Sequence, residues 1–261
     1  MVFDSGIGGT TVLDHIKQRI PNAQYSYFMD NAFLPYGAQT QQTIINRLCS
    51  LIHFIKSNKL NVDLIVIACN TASTSALSAV RKITDIPIVG VVPAIKPAAE
   101  LTRSNHIALL ATPATIASSY TKKLIAQHAS NVTVNLYSSV ELVNVAELLF
   151  FNGYLDTNKL HAVLEGLSIE KQTDVLVLGC THFPILTKQI SEHFKNSIQL
   201  VDSGAAIANR VIYLLTESGF LAQNIPGIKK PLQYYATANV ISDKLAVKLV
   251  KLIDPPEFEA Y

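Results

Sequence analysis

Two stretches of the chain, "DLIVIACNTAS" at residues 63–73 and "DVLVLGCTHFP" at residues 174–184, follow one plan: an aspartate, four apolar residues, a small residue, a cysteine and two polar residues. An apolar run of this length that stops at small and polar residues reads as a strand buried on both faces, the hallmark of a parallel sheet covered by helices. Its return 111 residues later, with Cys69 answered by Cys180, constrains the chain to an α/β fold of two halves with similar design. In such sheets ligands bind outside the carboxyl ends of the strands, where both cysteines fall.

The rest of the chain fits this frame. Apolar runs at 1–3, 25–30, 64–68 and 86–92, then at 106–111, 132–137, 175–179 and 198–202, read as strands. Between them lie helical patterns such as "QTIINRLCSLIHFIKSN", so the sheets are expected to be mostly parallel. "FDSGIGGT" at 3–10 is echoed by "VDSGAAIA" at 201–208, a second matched pair. A boundary is expected near "VVPAIKPAAE" at 91–100, where two prolines punctuate the chain. The expected division is 1–92 plus 208–261 in one domain and 93–207 in the other. The last segment, "QYYATANVISDKLAVKLV", reads as a strand followed by a helix.

Composition removes several classes of function. The 261 residues are 49% hydrophobic, enough for a sizeable core, and carry a net charge of only +2 with no basic tract, so no nucleic-acid partner is expected. The first residues, "MVFDSG", lack the pattern of a signal peptide, and every apolar run breaks well short of a membrane span. Three cysteines without close spacing fit a reducing compartment, so the cytoplasm is the expected location.

Thiols serve as metal ligands, redox centres or proton acceptors, and the neighbours choose among them. Cys69 is followed by Asn70, Thr71 and Ser73, and Cys180 by Thr181 and His182. In a strand-to-helix turn these supply backbone N–H groups and uncharged donors suited to a carboxylate or a developing oxyanion, which points to a small anionic ligand. Cys49, inside an apolar helical pattern, reads as packing. Zinc held by Cys69, Cys180 and His182 lacks close ligand pairs and an evident fourth donor. A redox dithiol lacks a nearby resolving cysteine. The glycines of "DSGIGG" match neither the dinucleotide nor the P-loop spacing and read as a tight turn that aims Asp4 and Ser5 at the site. Two matched acid–base residues on one ligand suit a reaction between mirror images, one thiolate taking a proton from one face and the other thiol returning one to the opposite face. An amino-acid α-hydrogen is less acidic than a thiol by on the order of twenty pK units, roughly 27 kcal/mol, so electrostatic stabilisation must carry much of that load.

Taken together, "VFDSGIGG", "DNAFLPYG", "IACNTAS", "ATPATIASSY", "LGCTHFP" and "LVDSG", in this order along nearly the whole chain, resemble glutamate racemases of the cofactor-independent aspartate/glutamate racemase superfamily. The resemblance implies two α/β domains with the active site in the cleft between them, the C-terminal segment returning to the first. It implies interconversion of L- and D-glutamate without pyridoxal phosphate or metal, supplying D-glutamate for peptidoglycan. By position, Cys69 is the base toward the D-enantiomer and Cys180 toward the L-enantiomer, Asp4 supporting Cys69 and His182 supporting Cys180. Glu147 in "SSVELVNVAELL" is the candidate for the family's glutamate, against its reading as a solvated helix face. Substrate contacts are expected from Ser5, Pro35, Tyr36, Gly37, Asn70, Thr71, Thr115, Thr181 and His182, with core packing the rival reading for Tyr36.

Departures from the family pattern are also present. The chain begins three residues before Asp4, so a shorter first strand is expected, and activation by a peptidoglycan precursor, tied in some members to an N-terminal extension, is not. Ser139 and Asn144 stand where many members carry Cys and Pro. Oligomeric state varies within the family, a homodimer being one state it admits. Rival readings are a racemase for aspartate or another small amino acid, and a catalytically idle binding protein.

Overall fold

The structure, a computed structural model, describes residues 1–220, 231–240, 242 and 245–253. Its strands are β1 (Val2–Asp4), β2 (Ser26–Met29), β3 (Ile65–Ile67), β4 (Ile88–Gly90), β5 (His106–Ala111), β6 (Thr133–Ser138), β7 (Val175–Gly179), β8 (Gln199–Val201), β9 (Gln233–Ala236) and β10 (Val247–Leu249). The helices are α1 (Thr10–Arg19), α2 (Gln41–Ser57), α3 (Asn70–Val80), α4 (Ile95–Leu101), α5 (Pro113–Ala117), α6 (Ser119–His128), α7 (Glu141–Asn152), α8 (Thr157–Gly166), α9 (Thr187–His193) and α10 (Gly204–Glu217).

The strands form two sheets, β10-β9-β2-β1-β3-β4 and β6-β5-β7-β8, and every described pairing is parallel. The expected α/β class is therefore present twice over. Apolar residues cover both faces of each sheet, as strands without polar alternation require. On the first sheet Val12, Leu13 and Ile16 of α1 meet Ile207 and Val211 of α10 on one face. Leu48, Leu51 and Ile52 of α2 pack with Ala72 and Ala76 of α3 on the other. On the second sheet α7, α8 and α9 bury Leu142, Leu160 and Ile190 on one face, and α4 buries Ile95 and Ala98 on the other.

β1 is only three residues long, yet it lies centrally, pairing with β2 on one side and β3 on the other. The two DSG stretches fold alike. The Gly6 N–H donates to Asp4 Oδ1 at 2.9 Å, and the Gly204 N–H to Asp202 Oδ1 at 2.7 Å, the same local turn at the carboxyl end of a strand in each sheet.

The C-terminal reading needs one correction. β9 is the expected strand, but the helix expected after it is replaced over Val247–Leu249 by β10, which pairs with β9 at the edge of the first sheet. Residues 241, 243 and 244 of that stretch lie outside the described residues. "VKLV" alternates apolar and charged side chains as well as it fits a helix, and an open parallel edge beside β9 decides between them.

Candidate active site

The sheets present their carboxyl ends to one another, so the two repeated units meet. Cys69 is the N-cap residue of α3, just past β3, and Cys180 directly follows β7. Both are buried free thiols, close enough for the charge on Cys180 to act on Cys69. Ser5 Oγ lies 3.9 Å from Cys69 Sγ, and the Ala72 N–H at the start of α3 also donates to that sulfur. Burial, reinforced by the charge of Asp4, pushes the Cys69 thiol well up, so it rests protonated.

Around Cys180 the polar residues form a chain. His182 Nδ1 is 3.8 Å from Cys180 Sγ, and His182 Nε2 is 2.6 Å from Glu147 Oε1. Burial alone would lower the His182 pKa, but the hydrogen bonds and charges of Cys180 and Glu147 outweigh it and hold the imidazole well above its ordinary value. Glu147 Oε1 also accepts from the Ile7 N–H at 2.8 Å, linking α7 to the loop after β1. Its side chain is 15% exposed, so the solvated-face reading of this glutamate does not hold. The glycines of that loop have a steric reason: a Cβ at Gly8 would meet His182 Nδ1 at 2.5 Å, and one at Gly6 would overlap Glu147 Oε1.

Asp4 is fully buried, and burial raises its pKa although His182 and the Gly6 N–H oppose the rise. Its second oxygen accepts from Thr181 Oγ1 at 2.8 Å, so Asp4 couples to Cys69 by charge and to the Cys180 loop by a hydrogen bond. Thr71 on α3 meets Thr112 at 2.8 Å and Thr115 at 3.1 Å, a buried triangle of hydroxyls that joins the two halves of the cleft. Asn70 is 4% exposed, and its Oδ1 has no partner among the described residues. It lines a small cavity with Thr11, His15, Cys180, Thr181 and Asp202, closed in part by Val91 and Leu178.

In the turn at Pro35, Tyr36 and Gly37, the Tyr36 side chain points away from this set. The Tyr36 ring is buried against Phe3, and its hydroxyl donates to Asp30 Oδ2 at 2.6 Å. What this turn offers the cleft is backbone, since a Cβ at Gly37 would touch Thr112 Cβ at 2.6 Å. Sequence reasoning passed over Thr112, legible only as a capping threonine before Pro113, and Asp30, which anchors Tyr36 together with Arg47. Among the described residues no group of three or more His, Cys, Asp or Glu side chains is spaced to hold a metal ion, and no helix is long and apolar enough to cross a membrane.

Known proteins resemble this chain in sequence and in fold. The family model for Asp/Glu/hydantoin racemases matches residues 9–211. A glutamate racemase of Shewanella pealeana is 43% identical over 251 residues, spanning 96% of this chain and 92% of that one. The crystal structure of Escherichia coli glutamate racemase in complex with L-glutamate and the activator UDP-MurNAc-Ala superposes with a TM-score of 0.82 at 37% identity, covering 93% of this chain and 91% of that chain. A glutamate racemase from Francisella tularensis in complex with D-glutamate gives a TM-score of 0.78 at 28% identity, covering 96% of each chain.

Proposed function

The chain belongs to the Asp/Glu/hydantoin racemase family and is an enzyme of the glutamate racemase group, and from that premise we propose that it interconverts L- and D-glutamate with Cys69 and Cys180 as the two bases. The observation that carries this reading is the meeting of two buried strand-end thiols in one cleft, each with its own polar support. In the L-to-D direction the Cα–H bond breaks with its proton passing to the Cys180 sulfur, and the Cys69 thiol gives its proton to the opposite face of the carbanion. The protonated resting state of Cys69 suits that donor role, and His182 stands where it can take the proton of Cys180 beforehand. Asp4 and Glu147 act by fixing charge and position around the two sulfurs.

The other expected contacts divide by chemistry. The open Asn70 Oδ1 suits the substrate ammonium, while Ser5, Thr71, Thr115 and Thr181 and the N–H groups opening α3 suit carboxylates and the charge that develops on them. Pro35, Tyr36 and Gly37 would shape the cleft wall. The division into 1–92 plus 208–261 and 93–207 belongs to the same proposal, supported by β9 and β10 in the first sheet and by α10 against α1. So do a cytoplasmic setting and the supply of D-glutamate to peptidoglycan.

Circular dichroism of L-glutamate with the chelator-treated protein tests the reading. The signal is expected to decay to zero with the wild type and to persist with Cys69→Ser or Cys180→Ser, L-aspartate being unaffected. Full activity in either variant would overturn the two-thiol mechanism. Faster turnover of aspartate would reassign the substrate, and no turnover of any amino acid by folded protein would favour the idle-binder reading.

A further inference from the structure

Outside the cleft, α8 and α9 bring two histidines together on the surface of the second half. His161, exposed on α8, and His193, partly buried at the end of α9, approach with Nδ1 to Nδ1 at 3.1 Å and ring centroids 5.3 Å apart, tilted by 46°. One ring must then donate its Nδ1 proton to the other, since two Nδ1–H groups cannot face each other. The neighbouring packing holds the two helices and the His193 ring. Leu160 and Leu164 of α8 and Ile190 of α9 are buried in one cluster, and Phe194 meets the His193 ring edge-on at 4.8 Å.

We propose that this pair is a binding site for one late first-row divalent cation, with Nδ1 of His161 and Nδ1 of His193 as ligands and water completing the shell. With metal–nitrogen bonds of about 2.05 Å, two nitrogens this far apart place the ion about 1.3 Å off the line between them with an N–metal–N angle near ~98°, between octahedral and tetrahedral values. Imidazole donors favour Ni²⁺, Cu²⁺ and Zn²⁺ over harder cations. The balance is simple: the ring that donates the hydrogen bond shifts its proton from Nδ1 to Nε2, both rings stay neutral, and nothing is oxidised. The Glu165 carboxylate, one turn along α8 from His161, adds a favourable charge. With only two protein donors the site is weaker than a structural zinc centre, and its occupancy would pin α8 to α9.

Titration calorimetry with Ni²⁺ on the chelator-treated full-length protein is the test, run on wild type, His161→Ala, His193→Ala and His193→Gln. One equivalent is expected to bind the wild type, and each variant is expected to lose about tenfold or more in affinity. The thermal midpoint should rise with Ni²⁺ in the wild type alone, and racemase turnover in His161→Ala should equal that of the wild type without metal. Unchanged Ni²⁺ binding in His161→Ala, whose side chain is exposed, would overturn the assignment, as would absence of binding by the wild type.

Discussion

Replacing Arg47 by methionine removes the guanidinium from a carboxylate that has no access to water. Asp30 is fully buried and accepts four hydrogen bonds: from Arg47 Nε and Nη2, both at 2.8 Å, from the Tyr36 hydroxyl at 2.6 Å and from Thr237 Oγ1 at 2.8 Å. Methionine keeps much of the apolar stem but leaves the charge with two neutral donors. Breaking a buried pair in this way costs about 3–5 kcal/mol. The lost contact of the guanidinium over the Phe33 ring, at 4.3 Å, adds to this. At about 2–4 °C per kcal/mol for a protein of this size, the midpoint of unfolding should fall by about 6–20 °C. Calorimetry or far-ultraviolet dichroism measures it. The Tyr36 turn loses a rigid anchor too, so KM for glutamate should rise at temperatures where the variant is folded. Adding Asp30→Asn should recover part of the loss, because the stranded charge is gone. A fall below about 2 °C in the single variant, or a double variant worse than the sum of the two, would refute the reasoning.

Three further outcomes follow from named contacts. Gly8→Ala should displace His182, whose ring Nδ1 and backbone nitrogen both fall within 2.7 Å of the added Cβ, and cut kcat by about a hundredfold or more, in keeping with the loss seen when a catalytic group shifts by about an ångström; wild-type activity would contradict this. Glu147→Gln should lower the pH at which His182 titrates in imidazole NMR, because the carboxylate raises that pKa after burial has lowered it; the wild-type imidazolium contributes stability that is full below the unfolded pKa of about 6.5 and is lost as pH rises through the elevated folded value. Asp174, lowered against the effect of burial to about 2 by Thr102 and the Arg103 and Ser104 N–H groups, contributes stability above its ordinary pKa of 3.8 that is lost as pH falls through the folded value, so the deficit of Asp174→Asn should be constant near neutral pH and vanish below about pH 2.

The strands were readable because buried parallel strands are continuous apolar runs, and 106–111 and 175–179 coincide with β5 and β7 to the residue. The cysteines were readable because their polar followers recur and packing does not require that. Other features depend on partners distant in sequence. Nothing local says that the Tyr36 hydroxyl goes to Asp30, that Glu147 reaches the Ile7 N–H, or that Thr112 completes a hydroxyl triangle with Thr71. The misread C-terminal helix has the same origin. "VKLV" satisfies both periods, and only the vacant edge beside β9, built from residues over 200 positions away from β2, makes it a strand.

Racemisation in deuterium oxide tests the central claim, two thiols on opposite faces of one carbanion, most directly. With L-glutamate as substrate, the first D-glutamate formed should carry deuterium at Cα while recovered L-glutamate keeps its hydrogen, because the proton taken by Cys180 is not the one returned by Cys69. D-glutamate that retains the original hydrogen at early times would mean one base serving both faces and would contradict the account.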